Sequence, residues 1–394
     1  MAEDASIVIT GMGVVSPLGR TTDGFWQALL KGTVATGQLT RFDTSVLSVE
    51  TGAEVSEGDE VDTCPSLALK WAVEVAETAT EDASLSAAGI DPARVGVSFG
   101  SVMGTRSSLD LALLKTEPEK PSASPWGSPS LLSREPARRL GLAGPNCSIA
   151  TACAAGNSAV AYGAEALRRG RADAMVVGGV DEISQTTLLI FDSFRALADD
   201  FVRPFDAGRR GLMLGEGAAA LVLEREEDAK ARGATIRGRV LGYANVCDAH
   251  HITAPHPEGR GAIRSMRRAM EMAGLQPSDV DHVNAHGTGT RANDSVEAGA
   301  LRRVFGQQAD RLPVTALKSM LGHAQGGASA LEAVACVLSM RDGLIPPTAN
   351  HVERDPECDL DVVTGTPRKS RIRVALSNAF GFGGNIECLL LGAP

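Results

Sequence analysis

The sequence predicts an α/β protein assembled from two similar halves. Three observations lead there. Short β-branched or apolar runs alternate with longer amphipathic stretches, the pattern of strands covered by helices. Glycine is abundant, 43 residues of 394 against an average of about 7%, and without a Gly-X-Y period it marks turns and close backbone approaches. Two runs of small residues, Cys153-Ala154-Ala155-Gly156-Asn157-Ser158-Ala159 and His323-Ala324-Gln325-Gly326-Gly327-Ala328-Ser329-Ala330, each follow a strand, one in either half. Such runs suit two central helices in close contact, with a site between the halves. The halves are set at residues 1–240 and 241–394.

The elements follow in chain order. In the first half, strands are expected at Ser6–Thr10, Arg94–Phe99, Asn146–Ala150, Ala174–Gly178 and Ala218–Leu223. In the second they are expected at Ile236–Tyr243, His282–Ala285, Pro313–Ala316, Arg373–Leu376 and Ile386–Leu391. Helical periodicity covers Ser66–Ala88, Arg260–Ala273, Asp294–Phe305 and Ala328–Arg341. Lys115–Pro129, rich in Pro, Ser and Glu, reads as a surface loop. Ala198–Arg210 reads as another, closed by the turn Arg203-Pro204-Phe205-Asp206.

Composition excludes whole classes of function. The formal net charge of −10 opposes nucleic-acid binding, which needs a positive surface to release counterions. With Phe 10, Trp 3 and Tyr 2, base-stacking platforms are not expected either. Seven cysteines form no disulfide framework in a chain this long. The acidic start Met1-Ala2-Glu3-Asp4 lacks a signal-peptide pattern, and no apolar run has the ~18–20 residues that span a membrane. A cytoplasmic protein that binds neither nucleic acid nor membrane is expected.

Two motif readings fail on spacing. Gly11-Met12-Gly13-Val14-Val15-Ser16 imitates a dinucleotide fingerprint, but Pro17 follows at once and Thr33 stands where an acid should bind ribose. A glycine turn after the first strand is the better reading. No Cys-x-x-Cys or His-Glu-x-x-His occurs, and His250, His251 and His256 lack a matching acidic or thiolate ligand, so no metal site is expected.

The strongest constellation is distributed. Ile149-Ala150-Thr151-Ala152-Cys153 puts a cysteine at a strand-to-helix junction, where free N–H groups and the helix dipole favour thiolate. Asn284-Ala285-His286-Gly287-Thr288-Gly289-Thr290 puts a histidine in a hydroxyl-lined glycine loop after a strand. Lys318-Ser319-Met320-Leu321-Gly322-His323 puts a second at the head of the small-residue helix. Taken singly, Cys153 reads as a packed small hydrophobe and each histidine as structural. Together they point to nucleophilic catalysis.

These blocks, with Ser377-Asn378-Ala379-Phe380-Gly381-Phe382-Gly383-Gly384, resemble the β-ketoacyl-acyl-carrier-protein synthases, of the ketosynthase II or type II polyketide kind, in the thiolase superfamily. The resemblance runs essentially end to end. It implies a thiolase-like fold of two pseudo-symmetric halves in five layers, α-β-α-β-α. It implies decarboxylative Claisen condensation of an acyl-thioester with malonyl-carrier protein in fatty-acid or polyketide biosynthesis. No resident cofactor is implied, because the phosphopantetheine arm arrives on the acyl carrier protein. A homodimer, or a heterodimer with a chain-length-factor-like homologue, is implied as well. A non-elongating acyltransferase or a chain-length-determining partner subunit is the alternative on the same fold.

Position by position, Cys153 matches the family's nucleophile, and His286 and His323 the pair that stabilises the enolate. The N–H groups of Cys153 and Phe380 match the second oxyanion hole, and Phe380 the gating phenylalanine. Lys318 matches a family lysine and Glu332 its carboxylate partner, either as a structural ion pair or in proton transfer. Asp294 and Glu297 match acidic positions that fix the loop before them. Thr253, Thr288 and Thr290 match contacts to the phosphopantetheine arm. Met103, Phe191 and Phe382 match substrate-binding positions, and Arg195 a carrier-docking arginine. Three departures stand out: Val61-Asp62-Thr63-Cys64-Pro65 replaces a basic cluster, the loop Leu197–Arg203 is shorter than usual, and Asn385-Ile386-Glu387 follows Gly384.

Overall fold

The computed structural model describes residues 5–57, 66–106 and 128–394. Most of the expected loop Lys115–Pro129 and the whole of Val61–Pro65 lie outside the described residues. Eleven strands form one large sheet among the described residues. They are β1 Ile7–Val15, β2 Val95–Gly100, β3 Asn146–Ile149, β4 Ala174–Asp181, β5 Gly217–Arg225, β6 Gly238–Cys247, β7 His282–Asn284, β8 Pro313–Thr315, β9 Asp361–Val362, β10 Val374–Gly381 and β11 Asn385–Gly392. Their order across the sheet is β9-β8-β7-β10-β11-β6-β1-β5-β4-β2-β3.

That order contains a repeat. Leaving aside the two-residue edge strand β9 and counting strands within each half, β3-β2-β4-β5-β1 and β8-β7-β10-β11-β6 both read third, second, fourth, fifth, first. The halves meet where Ile7–Ile9 of β1 pairs antiparallel with Gly238–Val240 of β6. Residue 240 lies inside β6, so the repeat of strands begins at Gly238.

The helices are α1 Thr22–Leu30, α2 Leu67–Asp82, α3 Leu131–Leu140, α4 Ala155–Arg168, α5 Gln185–Ser193, α6 Glu226–Ala231, α7 Arg260–Ala273, α8 Arg291–Phe305, α9 Lys318–Leu321 and α10 Gln325–Asp342. Helix α2 packs on β1, β4 and β5, and α3 on β2 and β3. Helix α7 packs on β6 and β11, with α8 against it. Helices α4 and α10 touch strands of both halves and each other. The arrangement is therefore a thiolase-like fold of five layers, with α4 and α10 as the middle one.

That middle layer is held backbone to backbone. A Cβ on Gly156 of α4 would lie 2.8 Å from the Ala330 nitrogen and 2.9 Å from the Gly326 carbonyl, both on α10. Helix α10 shows almost no sidedness, being buried from Gln325 to Met340, as a helix enclosed between the strands of both halves must be.

Two boundaries differ from expectation for local reasons. Strand β1 runs on through Gly11-Met12-Gly13 to Val15 instead of turning there. Gly11 is small because α2 crosses it closely: a Cβ would sit 2.2 Å from the Ala79 carbonyl. Helix α2 is capped by the Ser66 side chain and stops at Asp82, short of Ala88. There Ser84 turns into the left-handed region and a separate 3₁₀ turn, Leu85–Ala87, follows.

Candidate active site

Strand β3 delivers the chain to a strained turn. Ala152 has φ +50°, uncommon for a residue with a Cβ and costly unless its surroundings enforce it. Cys153 follows in a 3₁₀ turn, Ala152–Ala154, that runs directly into α4. The end of β10 presses on this turn. A Cβ on Gly381 would lie 2.9 Å from Ala152 Cβ and 3.1 Å from the Cys153 nitrogen, so glycine is what allows the approach. Immediately after Gly381, the Phe382 N–H turns toward the Cys153 sulfur, as does the N–H of Cys153 itself. The second donor is therefore Phe382 and not Phe380. The physical reason is that Phe380 is still inside β10, paired opposite Ile386 of β11, whereas the chain turns only after Gly381.

Burial pushes the Cys153 thiol up to about 11, against the lowering effect of the Lys318 charge. The expectation that the helix start favours thiolate is thus corrected. Desolvation outweighs two backbone donors and a cation, which favours the neutral thiol at Cys153.

His286 and His323 face each other edge to face, ring centroids 5.4 Å apart. Burial, reinforced by Lys318, holds both far below the usual imidazole range, so both rings are neutral. The Gln325 N–H donates to His323 Nδ1 at 3.0 Å, so the proton of the neutral ring resides on Nε2. Lys318 Nζ and Glu332 Oε1 form a buried ion pair at 2.6 Å. Only 2% of either side chain is exposed, so each charge depends on the other.

Two carboxylates on α8 hold the histidine loop. Glu297 accepts the N–H groups of His286 and Gly287, both at 2.9 Å, and the Asn378 amide at 3.0 Å. Asp294 accepts the N–H of Thr288 at 3.1 Å, that of Gly289, and that of Phe205 at 2.9 Å. Consecutive backbone donors converging on fixed acceptors leave this loop little freedom. On the other side of the site, Asp181 at the end of β4 accepts from Ser101 Oγ and from the N–H groups of Val102, Met103 and Gly326. It thereby ties the loop after β2 to the head of α10.

A cleft with about 670 Å³ of empty space, its open mouth included, leads to Cys153. His286, His323, Thr253, Thr288, Thr290, Phe191, Phe380 and Phe382 line it. Thr288 and Thr290 hydroxyls bond each other at 2.9 Å. Phe382 meets Phe191 at a tilt and Phe194 edge to face, centroids 5.8 and 5.9 Å away. Met103 is not in this lining; its N–H is spent on Asp181. Arg195 lies at the exposed end of α5 with φ +50°. Lys318 and Glu332 sit behind the histidines and not on the cleft wall.

Sequence reasoning missed several contributors. His251 lines the cleft, and its Nδ1 accepts the N–H groups of Thr253 and Ala254. Asp181 and Asn378 hold loops but touch nothing in the cleft. An aspartate ending an otherwise apolar strand, Val176-Val177-Gly178-Gly179-Val180-Asp181, was the available signal for the first. Among the described residues no group of three or more His, Cys, Asp or Glu side chains is placed to hold a metal ion.

Comparison with known proteins agrees with the geometry. Residues 4–229 match the family "Beta-ketoacyl synthase, N-terminal domain" and residues 237–352 the "Beta-ketoacyl synthase, C-terminal domain". The 3-oxoacyl-[acyl-carrier-protein] synthase 2 of Synechocystis sp. is 40% identical over 402 residues, covering 97% of both chains. That of Coxiella burnetii is 40% identical over 414 residues, covering 99% of both. Among solved structures, the ishigamide ketosynthase/chain length factor matches with TM-score 0.93 and 37% identity, over 99% of both chains. A type II polyketide synthase ketosynthase, bound to the hexaketide and in complex with its acyl-carrier protein, matches with TM-score 0.94 and 30% identity, again over 99% of both. With both halves matched in order and at full length, the chain belongs to the β-ketoacyl synthase family.

Proposed function

We propose that this chain is an acyltransferase that condenses an acyl-thioester with malonyl-acyl-carrier protein, losing CO₂, in type II fatty-acid or polyketide biosynthesis. The observation that carries the reading is the cleft itself, in which a buried thiol with two backbone N–H donors stands before two neutral imidazoles. Cys153 takes the acyl group from the carrier thioester, and the carrier thiol leaves with the proton. The N–H groups of Cys153 and Phe382 receive the oxyanion of that transfer. Malonyl thioester then loses CO₂, and its enolate oxygen meets the ring N–H groups of His286 and His323. The enolate carbon attacks the acyl carbonyl, and the Cys153 thiolate departs to be reprotonated.

Lys318 and Glu332 serve behind the ring pair. Burial, reinforced by the Lys318 cation that Glu332 holds in place, disfavours imidazolium and keeps the histidines as neutral donors. Thr253, Thr288 and Thr290 offer hydroxyls to the amides of the phosphopantetheine arm. That arm supplies the only cofactor chemistry and comes with the carrier. Arg195, exposed beside the mouth, suits an acidic carrier surface. The short edge strand β3, unpaired on its outer side among the described residues, suits association with a second copy or a chain-length-factor-like homologue. Among the described residues no helix is long and apolar enough to cross a membrane, and six free cysteines suit a reducing cytoplasm.

The test is product analysis with acyl-carrier protein and isotopically labelled malonyl-carrier protein. A 3-oxoacyl product two carbons longer, with labelled CO₂ released, is expected. Acyl transfer without loss of CO₂ would overturn the reading in favour of a non-elongating acyltransferase.

A further inference from the structure

A buried carboxyl that the condensation does not use lies beneath the nucleophile. Glu387 stands in β11, opposite Ala379 of β10 and Asn245 of β6, and is 1% exposed. Its Oε2 is 2.7 Å from Ser158 Oγ on α4. Ser158 Oγ is in turn 2.7 Å from Thr151 Oγ1. Asn245 Nδ2 approaches both Glu387 Oε1 and Ser158 Oγ, at 3.4 and 3.5 Å. Thr151 is the residue before the strained Ala152, and its carbonyl accepts the Ala154 N–H at 3.2 Å, bracketing Cys153. A chain of hydrogen bonds thus runs from a sheet strand of the second half to the turn that carries the sulfur.

Resting on the assignment of Cys153 as nucleophile, we propose that Glu387 is a positioning residue that braces the Cys153 turn through Ser158 and Thr151. An unpaired carboxyl buried this deeply is held in its neutral form, and burial raises it to about 8. As an acid, Glu387 donates its O–H to Ser158, which donates to Thr151, leaving the Thr151 proton free. As a carboxylate it can only accept, so Ser158 must donate to it and Thr151 to Ser158. Ionisation therefore reverses the chain and turns the Thr151 hydroxyl. Among the described residues the groups facing Glu387 are Ser158 from α4, Asn245 from β6 and Ala379 from β10. Its titratable neighbour is the Cys388 thiol, which burial pushes up, with Glu387 and Glu297 adding to it. Lys318 and Asp181 act on Cys153, whereas among the described residues burial, Ser158 and Asn245 are what shift Glu387.

The experiment measures Cys153 self-acylation from acyl-carrier protein, and its alkylation by iodoacetamide, by intact mass across pH 6.5–9.5. Thr151→Val and Ser158→Ala are expected to slow both reactions about tenfold, the worth of one good hydrogen bond, with KM for the carrier unchanged. Thr151→Ser restores most of the loss. Glu387→Gln, whose amide can donate as the acid does, keeps the steady rise that follows the thiolate but loses the step that the wild type superimposes on it near pH 8. Thermal melts identify variants that fold; should Glu387→Ala not fold, Thr151→Val, which leaves the carboxyl in place, decides. Folded variants that react at the wild-type rate at every pH would overturn the proposal. If the wild type alkylates at Cys153 but does not acylate, the assigned function falls. The alkylation rates then decide the brace by the same criterion.

Discussion

The third strand of each half leads toward a central helix, and the two junctions carry opposite chemistry. After β3 the chain makes a single strained turn and presents a sulfur, with Ala152 at φ +50° just before it. After β8 it inserts the short helix α9, turns at Gly322 and presents His323, with Gln325 at φ +50° just after it. The first junction has backbone donors and no charge of its own. The second carries a buried cation, its counter-charge and an imidazole. One topological slot, used twice, separates the thiol from the groups that carry charge.

The sharpest way to break this comparison is to remove the sulfur. Cys153→Ala should abolish the acyl-enzyme entirely, read by intact-protein mass after incubation with acyl-carrier protein; a persisting adduct would place the nucleophile elsewhere. Next in size is the cation of the other junction. Lys318→Met strands Glu332 in the core and should destabilise the fold by about 3–5 kcal/mol in urea unfolding, with Lys318→Met/Glu332→Leu recovering much of it. His323→Ala should slow condensation about 10²–10³-fold, as loss of an oxyanion donor does, and His286→Ala similarly. Both should acylate far better than they condense, and failure of acylation with normal decarboxylation would reverse the roles.

A smaller effect sharpens the electrostatic contrast. With the Cys153 thiol pushed up to about 11, alkylation by iodoacetamide should climb about tenfold per pH unit through pH 7–9.5, because only the thiolate reacts. A thiolate preformed at the helix start would instead level off near neutrality. Smallest is the cleft wall. Phe191→Ala should admit acyl groups two carbons longer with about tenfold better binding, at ~0.8 kcal/mol per buried methylene, whereas Met103→Ala should leave the length profile nearer wild type. Acylation rates across primer lengths distinguish them.

Much of this was legible from sequence because the signals are local. Strand and helix alternation gave the class, and the small-residue runs gave both central helices. Cys153, His286 and His323 each sit in a glycine-rich flank that no simple core element requires. What was not legible depends on three-dimensional registration. Whether Phe380 or Phe382 supplies the donor turns on where β10 ends, two residues that repeat the same Phe-Gly pattern. The raised thiol depends on how completely the other half covers it, which no spacing encodes. Gly11 looked like a turn because a strand glycine answering a helix 68 residues later leaves no local mark. Asp181 and Glu387 act on loops far from them in the chain.

The contact of Gly156 with Gly326 and Ala330 bears on how such an enzyme diversifies. The separation between sulfur and imidazole is set by main chain against main chain, so rotamer changes elsewhere in the core do not reach it. The walls of the cleft, by contrast, include side chains on α5 and on the turn at Phe382. A lineage can therefore redraw the chamber while the gauge between the reacting groups stays fixed. Specificity and reactivity are inherited on separate parts of the fold.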